Sequence, residues 1–247
     1  MSSAAAQARR RIMIGCAGWS IDRRHSGLFG EGDSQLARYA TVFDAVEINS
    51  SFYRPHQRKT YLRWAQSVPA HFRYSVKLPR AISHDARLRK TGPLLDRFLD
   101  EVAGLGDKLG VLLLQLPPSL AFEARTVAAF MRVLRARWNG EVVCEPRHPS
   151  WFRPAASALI QRYRVGRVGA DPALSDAARS PMGALLYWRW HGSPRMYHSA
   201  YTSSALVGLA QDLRDQPSAT QSWAIFDNTA SGHALTDALA LRELCKR

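Results

Sequence analysis

Carboxylates, guanidiniums and imidazoles stand where the apolar runs of this chain stop. Val142, Val143 and Cys144 lead directly into Glu145 and then into Arg147, His148 and Trp151, with Pro146 and Pro149 punctuating the run. The arrangement recurs. Residues 42–49 end in Glu47 and Asn49, residues 72–79 carry Lys77, and residues 109–116 end near Gln115. Residues 184–192 close on Arg189 and His191, and residues 223–228 on Asp227 and Asn228. A charge entered from a buried strand is costly unless it is paired. Two chemistries suit the set. In one, Glu47 and Glu145 act as an acid and base pair while Lys77, Arg147 and Arg189 hold an anionic substrate. In the other, Glu47, Glu145, Asp227 and His191 hold a divalent metal that activates water, although no local motif such as His-Glu-x-x-His supports it.

The candidate catalytic set is therefore Glu47, Lys77, Glu145 and His191. Candidate substrate-binding residues are Trp19, Asn49, Tyr53, His84, Gln115, Arg147, His148, Trp151, Arg189, Asp227 and Asn228. Each has a plainer reading. Glu145 and Arg147 suit a structural ion pair, Lys77 suits a partner for Glu47, and His191 suits a hydrogen-bonded core histidine. His148 suits the cap of a following helix, and Trp151, Trp19 and Tyr53 suit packing.

The elements that must position these groups follow from periodicity. Eight apolar runs read as strands: residues 11–16, 42–49, 72–79, 109–116, 142–145, 165–170, 184–192 and 223–228. Between them lie amphipathic stretches. Tyr61, Trp64, Ala65 and Val68 form an i, i+3, i+4, i+7 stripe, and Val127, Phe130, Met131 and Leu134 form another. Helices are expected at 34–40, 61–68, 93–103, 123–135, 154–163, 203–214 and 233–244, with 171–183 a loop. Strands alternating with helices at this spacing imply parallel βα units. No Gly-x-Gly-x-x-Gly follows a strand and no Walker-type loop occurs. The fold expected is an α/β, TIM-barrel-like (β/α) barrel of about eight parallel strands. It would form a single domain over residues 11–247, behind a disordered basic tail at 1–10. In such a barrel the C-terminal strand ends converge on one face, which gathers the polar ends that six of the eight strands carry.

Composition bounds the partners. The 247 residues suit one barrel of roughly 250. No apolar run approaches the roughly 20 residues that cross a bilayer, and the first residues lack the apolar segment of a secretory signal. A cytoplasmic, membrane-free protein is expected. The formal charge is +14 and the isoelectric point about 10.4, the footprint of an anion or nucleic-acid binder. Of the 34 basic residues, 29 are Arg and five are Lys, which an arginine-rich composition produces without any ligand. Cys16, Cys144 and Cys245 have neither zinc nor disulfide-framework spacing.

Several longer motifs carry a resemblance. They are Gly15, Gly18 and Trp19 within 14–20, the segment Val46-Glu47-Ile48-Asn49-Ser50-Ser51-Phe52-Tyr53-Arg54, and residues 72–79 followed by His84. Residues 106–110 leading to 114–119, Arg147-His148-Pro149-Ser150-Trp151 and Arg189-Trp190-His191-Gly192 complete them. Over about residues 11–244 the chain resembles the YecE-like, or DUF72, family. Departures are Glu145-Pro146-Arg147 for a Glu-Phe-Arg element, Phe226-Asp227-Asn228-Thr229 for a Phe-Asn-Asn-Asp-like run, and a shortened or divergent loop at 171–183. The resemblance implies a TIM-barrel-like fold with a site at the strand ends, and no particular reaction. The fold is similar to metal-dependent barrels such as endonuclease IV and xylose isomerase. The function expected is an enzyme, a hydrolase or isomerase, acting on an anionic substrate, with a phosphate ester as one candidate. The alternatives are a non-catalytic nucleic-acid-binding protein and a metal-dependent phosphodiesterase-like barrel. No cofactor and no oligomeric state is read from the sequence.

Overall fold

The computed structural model describes residues 12–217 and 220–246. The tail expected at 1–10, and Arg11 as the start of the first strand, lie outside the described residues. Nine strands occur among the described residues: β1 (Ile12–Cys16), β2 (Ala45–Ile48), β3 (Arg73–Lys77), β4 (Leu109–Gln115), β5 (Glu141–Glu145), β6 (Gly166–Arg167), β7 (Gly169–Asp171), β8 (Leu185–Trp190) and β9 (Gln221–Phe226). The helices are α1 (Gln35–Tyr39), α2 (Ser50–Tyr53), α3 (Arg58–Gln66), α4 (Gly92–Val102), α5 (Ala124–Arg135), α6 (Pro154–Arg162), α7 (Asp176–Arg179), α8 (Ser203–Arg214) and α9 (His233–Cys245).

All ladders are parallel. They form two sheets, β2-β3-β4-β5-β6 and β1-β9-β8-β7. The parallel α/β arrangement is as expected, with nine strands in two sheets where about eight in one barrel were expected. The run read as one strand at 165–170 is two short pieces, because the chain changes partner at Val168. Gly166 and Arg167 pair with β5, whereas Gly169 to Asp171 pair with β8. The sheets meet again where Ala17 bridges Glu47 and the Gly18 N–H reaches the Glu47 carbonyl at 3.0 Å. Gly15 permits that seam, since a Cβ there would lie 2.1 Å from the Ala45 carbonyl oxygen. The loop expected at 171–183 holds the short α7.

Period-2 alternation explains what each strand contributes. Met13, Val111, Val143, Tyr187 and Trp223 point to one side and form a cluster drawn from both sheets. The alternate residues pack outward against helices. α5 buries its expected stripe of Val127, Phe130, Met131 and Leu134, and α4 buries Leu95, Phe98 and Val102. Glu123 caps α5 by accepting from the N–H groups of Arg125 and Thr126, which satisfies donors that a helix start leaves open. Much of the arginine excess is structural. Arg135 alone donates to the carbonyls of Trp138, Gly140, Tyr163 and Arg164.

Candidate functional site

On the inward face, five of the strands pass into charge when continued by two residues. Tyr187 is followed by Arg189 and His191, Val143 by Glu145 and Arg147, Ser75 by Lys77, Ala45 by Glu47 and Asn49, and Ile225 by Asp227. The alternation that fills the interior therefore stacks ionisable groups at its C-terminal end.

Arg189 is the hub. Its Nε and Nη2 donate to the two Glu47 oxygens at 3.0 and 2.6 Å. Nη1 donates to Glu145 Oε2 at 2.5 Å, and Nη2 also to Asp227 Oδ2 at 2.8 Å. Three carboxylates from three strands thus close on one guanidinium, whose planar fork suits such bonding. Burial works against charge on Arg189, but Glu145, Glu47 and Asp227 outweigh it and hold its pKa well above the ordinary value. Beneath it the Tyr187 hydroxyl lies 2.8 Å from Glu47 Oε2 and 2.9 Å from Ser75 Oγ. Burial, followed by the Glu47 charge, pushes that phenol well up.

His191 is fully buried. Nδ1 lies 3.1 Å from Asp227 Oδ2. Nε2 lies 2.8 Å from Glu145 Oε1 and 2.5 Å from Arg147 Nη2. A protonated Nε2 donates to Glu145, and a bare one accepts from Arg147. With Nδ1 donating to Asp227, Nε2 therefore has a partner whether or not it carries a proton. Arg147 also pairs with Glu145 at 2.6 Å. Over the ring sits Tyr197, centroid 5.6 Å away and edge-on, anchored by its N–H to the His191 carbonyl.

Burial raises the Glu145 carboxyl, yet Arg147, Arg189 and His191 overcome it and hold the group well below the usual carboxylate range. Asp227 is likewise lowered, with burial opposed by Arg189 and His191. A depressed folded-state pKa gives stability that is present above the unfolded value, about 4, and lost as pH falls through the folded value. Thermal midpoints are therefore expected to hold steady from neutral pH to about pH 4 and to fall below it. A decline that begins near neutrality in a pH series of melting curves contradicts this.

Lys77 differs from its neighbours. Its Nζ has no hydrogen-bond or ion-pair partner among the described residues and rests 4.3 Å from the centroid of the Phe52 ring. The expected pairing with Glu47 is absent from the described contacts, because Glu47 is held by Arg189 and Tyr187. Burial, and then Arg189, lower the Lys77 pKa to about 8. The segment 46–54 builds this corner. Glu47 grips Arg189, the Asn49 amide donates to Asp227 Oδ1 at 3.2 Å, Ser51 Oγ ties to the Lys77 carbonyl at 2.7 Å, and Phe52 floors the ammonium. Lys77, Arg147 and Asp227 keep 7%, 8% and 7% exposure, whereas Glu47, Arg189 and His191 keep none. Solvent meets the network at those three groups.

The remaining candidates lie elsewhere. His84 is near the corner, edge-on to Phe52 at 4.9 Å, and burial followed by Arg80 and Lys77 lowers its pKa. Tyr53 stands exposed on the rim against Phe52. Gln115 is half-buried at the end of β4, in register with Glu145. Trp19 packs edge-on to Trp64. His148 accepts from the Ser150 N–H and caps the turn Pro149–Phe152, while Trp151 is buried and donates to the Leu120 carbonyl. Asn228 donates to Asp237 and to the Ser199 carbonyl, away from Arg189. Tyr187, Ser75 and Tyr197 were not among the candidates. The first two carry no charge, and only their i, i+2 spacing from Arg189 and Lys77 marks them.

The metal reading meets a specific obstacle. Three of its four proposed ligands, Glu47, Glu145 and Asp227, already bind the Arg189 guanidinium, and the fourth, His191, contacts Glu145 and Asp227. Among the described residues no group of three or more His, Cys, Asp or Glu side chains is arranged to hold a metal ion.

With this geometry in place, comparison with known proteins is decisive about kinship. The model of the family described as "Protein of unknown function DUF72" matches residues 13–247. The chain belongs to the DUF72 family. It is 34% identical over 182 residues to the UPF0759 protein YecE of Escherichia coli K12, a match covering 70% of this chain and 64% of that protein. It is 25% identical over 154 residues to YunF of Bacillus subtilis, covering 58% of this chain and 53% of that protein. The matches thus span less than two thirds of these relatives. A DUF72 crystal structure from Thermotoga maritima superposes with a TM-score of 0.79 at 19% identity, covering 96% of this chain and 100% of that one. Another from Enterococcus faecalis gives 0.77 at 20%, covering 96% of each. A 3-keto-L-gulonate-6-phosphate decarboxylase from Vibrio cholerae shares the fold at a TM-score of 0.54, with 13% identity over 96% of this chain and 98% of that one. Among the described residues no helix is long and apolar enough to cross a membrane.

Proposed function

We propose that this DUF72 protein is an enzyme that binds a small anionic substrate, a phosphate ester being the simplest class, at the strand ends beside Lys77 and Arg147. On this reading β6 and β7 act as one interrupted strand, so that the two sheets make an eight-stranded barrel with its site at the C-terminal face. One observation carries the binding half. Arg147 Nε and Asn49 Oδ1 are buried atoms without a hydrogen-bond partner, on the same face as the unpaired ammonium of Lys77. Buried polar atoms are nearly always satisfied in native proteins. An anionic oxygen satisfies Arg147 and Lys77, and a substrate hydroxyl satisfies Asn49.

The roles follow from exposure and bonding. Arg189, Glu47, Tyr187 and Ser75 form a rigid floor, because each is buried and bonded within the network. His191 is the proton carrier, since its Nε2 exchanges Glu145 for Arg147 without losing a partner. Asp227 orients its other nitrogen. Glu47 and Glu145 act as counter-ions to Arg189 and Arg147 and not as a free acid and base pair.

Thermal unfolding with inorganic phosphate or a triose phosphate, against sodium chloride at equal ionic strength, tests this. A ligand at about 100 times its Kd stabilises the native state by about 2.7 kcal/mol. Arg147→Ala, measured against its own baseline, is expected to lose the shift. A shift matched by chloride sinks the proposal. One observation favours the second reading, nucleic-acid binding: a surface cleft of about 520 Å³ lined by Arg89, Lys90, Arg125 and Arg137. Binding of DNA or RNA that weakens steeply with salt, with no response to small phosphates, favours that reading instead.

A further inference from the structure

Only five lysines occur among the 34 basic residues, and four of them have ordinary placements. Lys59 and Lys90 are exposed, Lys108 donates to the carbonyls of Ala65 and Val68, and Lys246 pairs with Glu243 on the surface. Lys77 alone is buried. A buried ammonium in a structural role is paired. Here three carboxylates share its corner, and all of them are bound by Arg189, with Glu145 and Asp227 also contacting His191.

We propose that Lys77 is a nucleophile that forms an imine with a carbonyl substrate carrying an anionic group, which Arg147 and Asn49 hold. The inference rests on the anion-binding reading above and names the substrate class more narrowly. Three features of the geometry support it. The Nζ donors are unused, so the lone pair is available once a proton leaves. The aromatic face of Phe52 removes water from one side, and the fixed Arg189 cation stands nearby. Desolvation and an adjacent cation are the two devices that activate lysine amines. The backbone of Lys77 is pinned by Ser51 Oγ at its carbonyl, which keeps the base of the side chain rigid.

The step balances with the groups present. The neutral Nζ attacks the carbonyl carbon, a C–N bond forms, and the π pair moves to oxygen. The proton lost by nitrogen ends on that oxygen, giving a carbinolamine. One further proton, supplied from the His191 and Asp227 side, lets the hydroxyl leave as water and yields the protonated imine. Return of water regenerates the amine.

With its pKa lowered to about 8, Lys77 holds roughly a hundredfold more neutral amine at pH 8 than an unperturbed surface lysine. The test is reductive trapping on the full chain. Glyoxylate, pyruvate and glyceraldehyde 3-phosphate are each incubated with the protein at pH 8, alongside acetone and glycolaldehyde as uncharged probes. Cyanoborohydride then fixes any imine as a secondary amine, and peptide mass spectrometry locates it on the five lysines. The expected result is labelling of Lys77 by an anionic carbonyl roughly tenfold or more above any other lysine, suppressed by inorganic phosphate and abolished in Lys77→Arg. Labelling spread over Lys59, Lys90 and Lys246 with Lys77 unmodified overturns the imine. If phosphate still raises the melting temperature in that case, the anion-binding reading stands without it. Equal labelling of Lys77 by charged and uncharged probes, unaffected by phosphate, overturns the anionic class of substrate.

Discussion

Replacing Arg189 with methionine is expected to destabilise the protein by about 3–5 kcal/mol, the range for breaking a buried ion pair from one side. The substitution removes four charge-assisted bonds and leaves Glu47, Glu145 and Asp227 facing one another without their shared cation. Methionine fills most of the volume, so the loss is electrostatic and not a cavity effect. Against a total stability of about 5–15 kcal/mol, the variant sits near the edge of folding. Urea denaturation is the measurement, and the midpoint should fall while the slope stays constant. Arg189→Lys should recover only part of the loss, because one ammonium cannot reproduce a side-on grip of Glu47 together with bonds to two further carboxylates. A loss under about 1 kcal/mol places Arg189 outside the framework role.

Replacing Lys77 with methionine is expected to do the opposite. Lys77 carries a charge in a site that disfavours it, as its pKa of about 8 records. The downward shift of about 2–3 units corresponds to about 3 kcal/mol of penalty on the charged form at neutral pH. The contact of the ammonium with Phe52 offsets part of this, about 0.5–2 kcal/mol. The net expectation is a gain of about 1–2 kcal/mol at pH 7, or about 2–4 °C in melting temperature for each kcal/mol. The gain should come with complete loss of anion binding. The sign is checked by pH. A base with a lowered folded-state pKa binds fewer protons folded than unfolded between about 8 and 10.4, so wild-type stability contributed by this group rises across that window. In Lys77→Met that rise should vanish. A destabilised variant means that Lys77 makes a stabilising pair and is not a group held in tension for function.

How much of this was legible in the sequence depends on what each residue does. Glu47, Lys77, Glu145, Arg147, Arg189, His191 and Asp227 stand out because charge at the end of an apolar run is expensive; six of them bond into one network, and Lys77 lies beside it against Phe52. Tyr187 and Ser75 were hidden because uncharged polar residues inside a strand are ordinary, and only inward alternation links them to Arg189 and Lys77. His148, Trp151 and Trp19 share the strand-end position but serve the chain that follows, as a cap, a carbonyl donor and a packing edge. Residue type alone does not separate a group facing the mouth from one docking the next helix. Asn228, next to Asp227, turns to the opposite side of the strand and ties α9 instead, as period 2 requires. The division of 165–170 into two strands was not legible because both pieces carry the same β-forming residues, and the switch depends on which neighbour supplies the ladder.

The strand ends are expected to form an anion site framed by Arg189. A crystal structure grown with a triose phosphate tests it most directly. Phosphate or carbonyl density is expected in contact with Lys77 Nζ and Arg147 Nε, with Glu47, Arg189 and Tyr187 unmoved. Ligand bound elsewhere on the surface, with Lys77 and Arg147 untouched at saturating concentration, would contradict it.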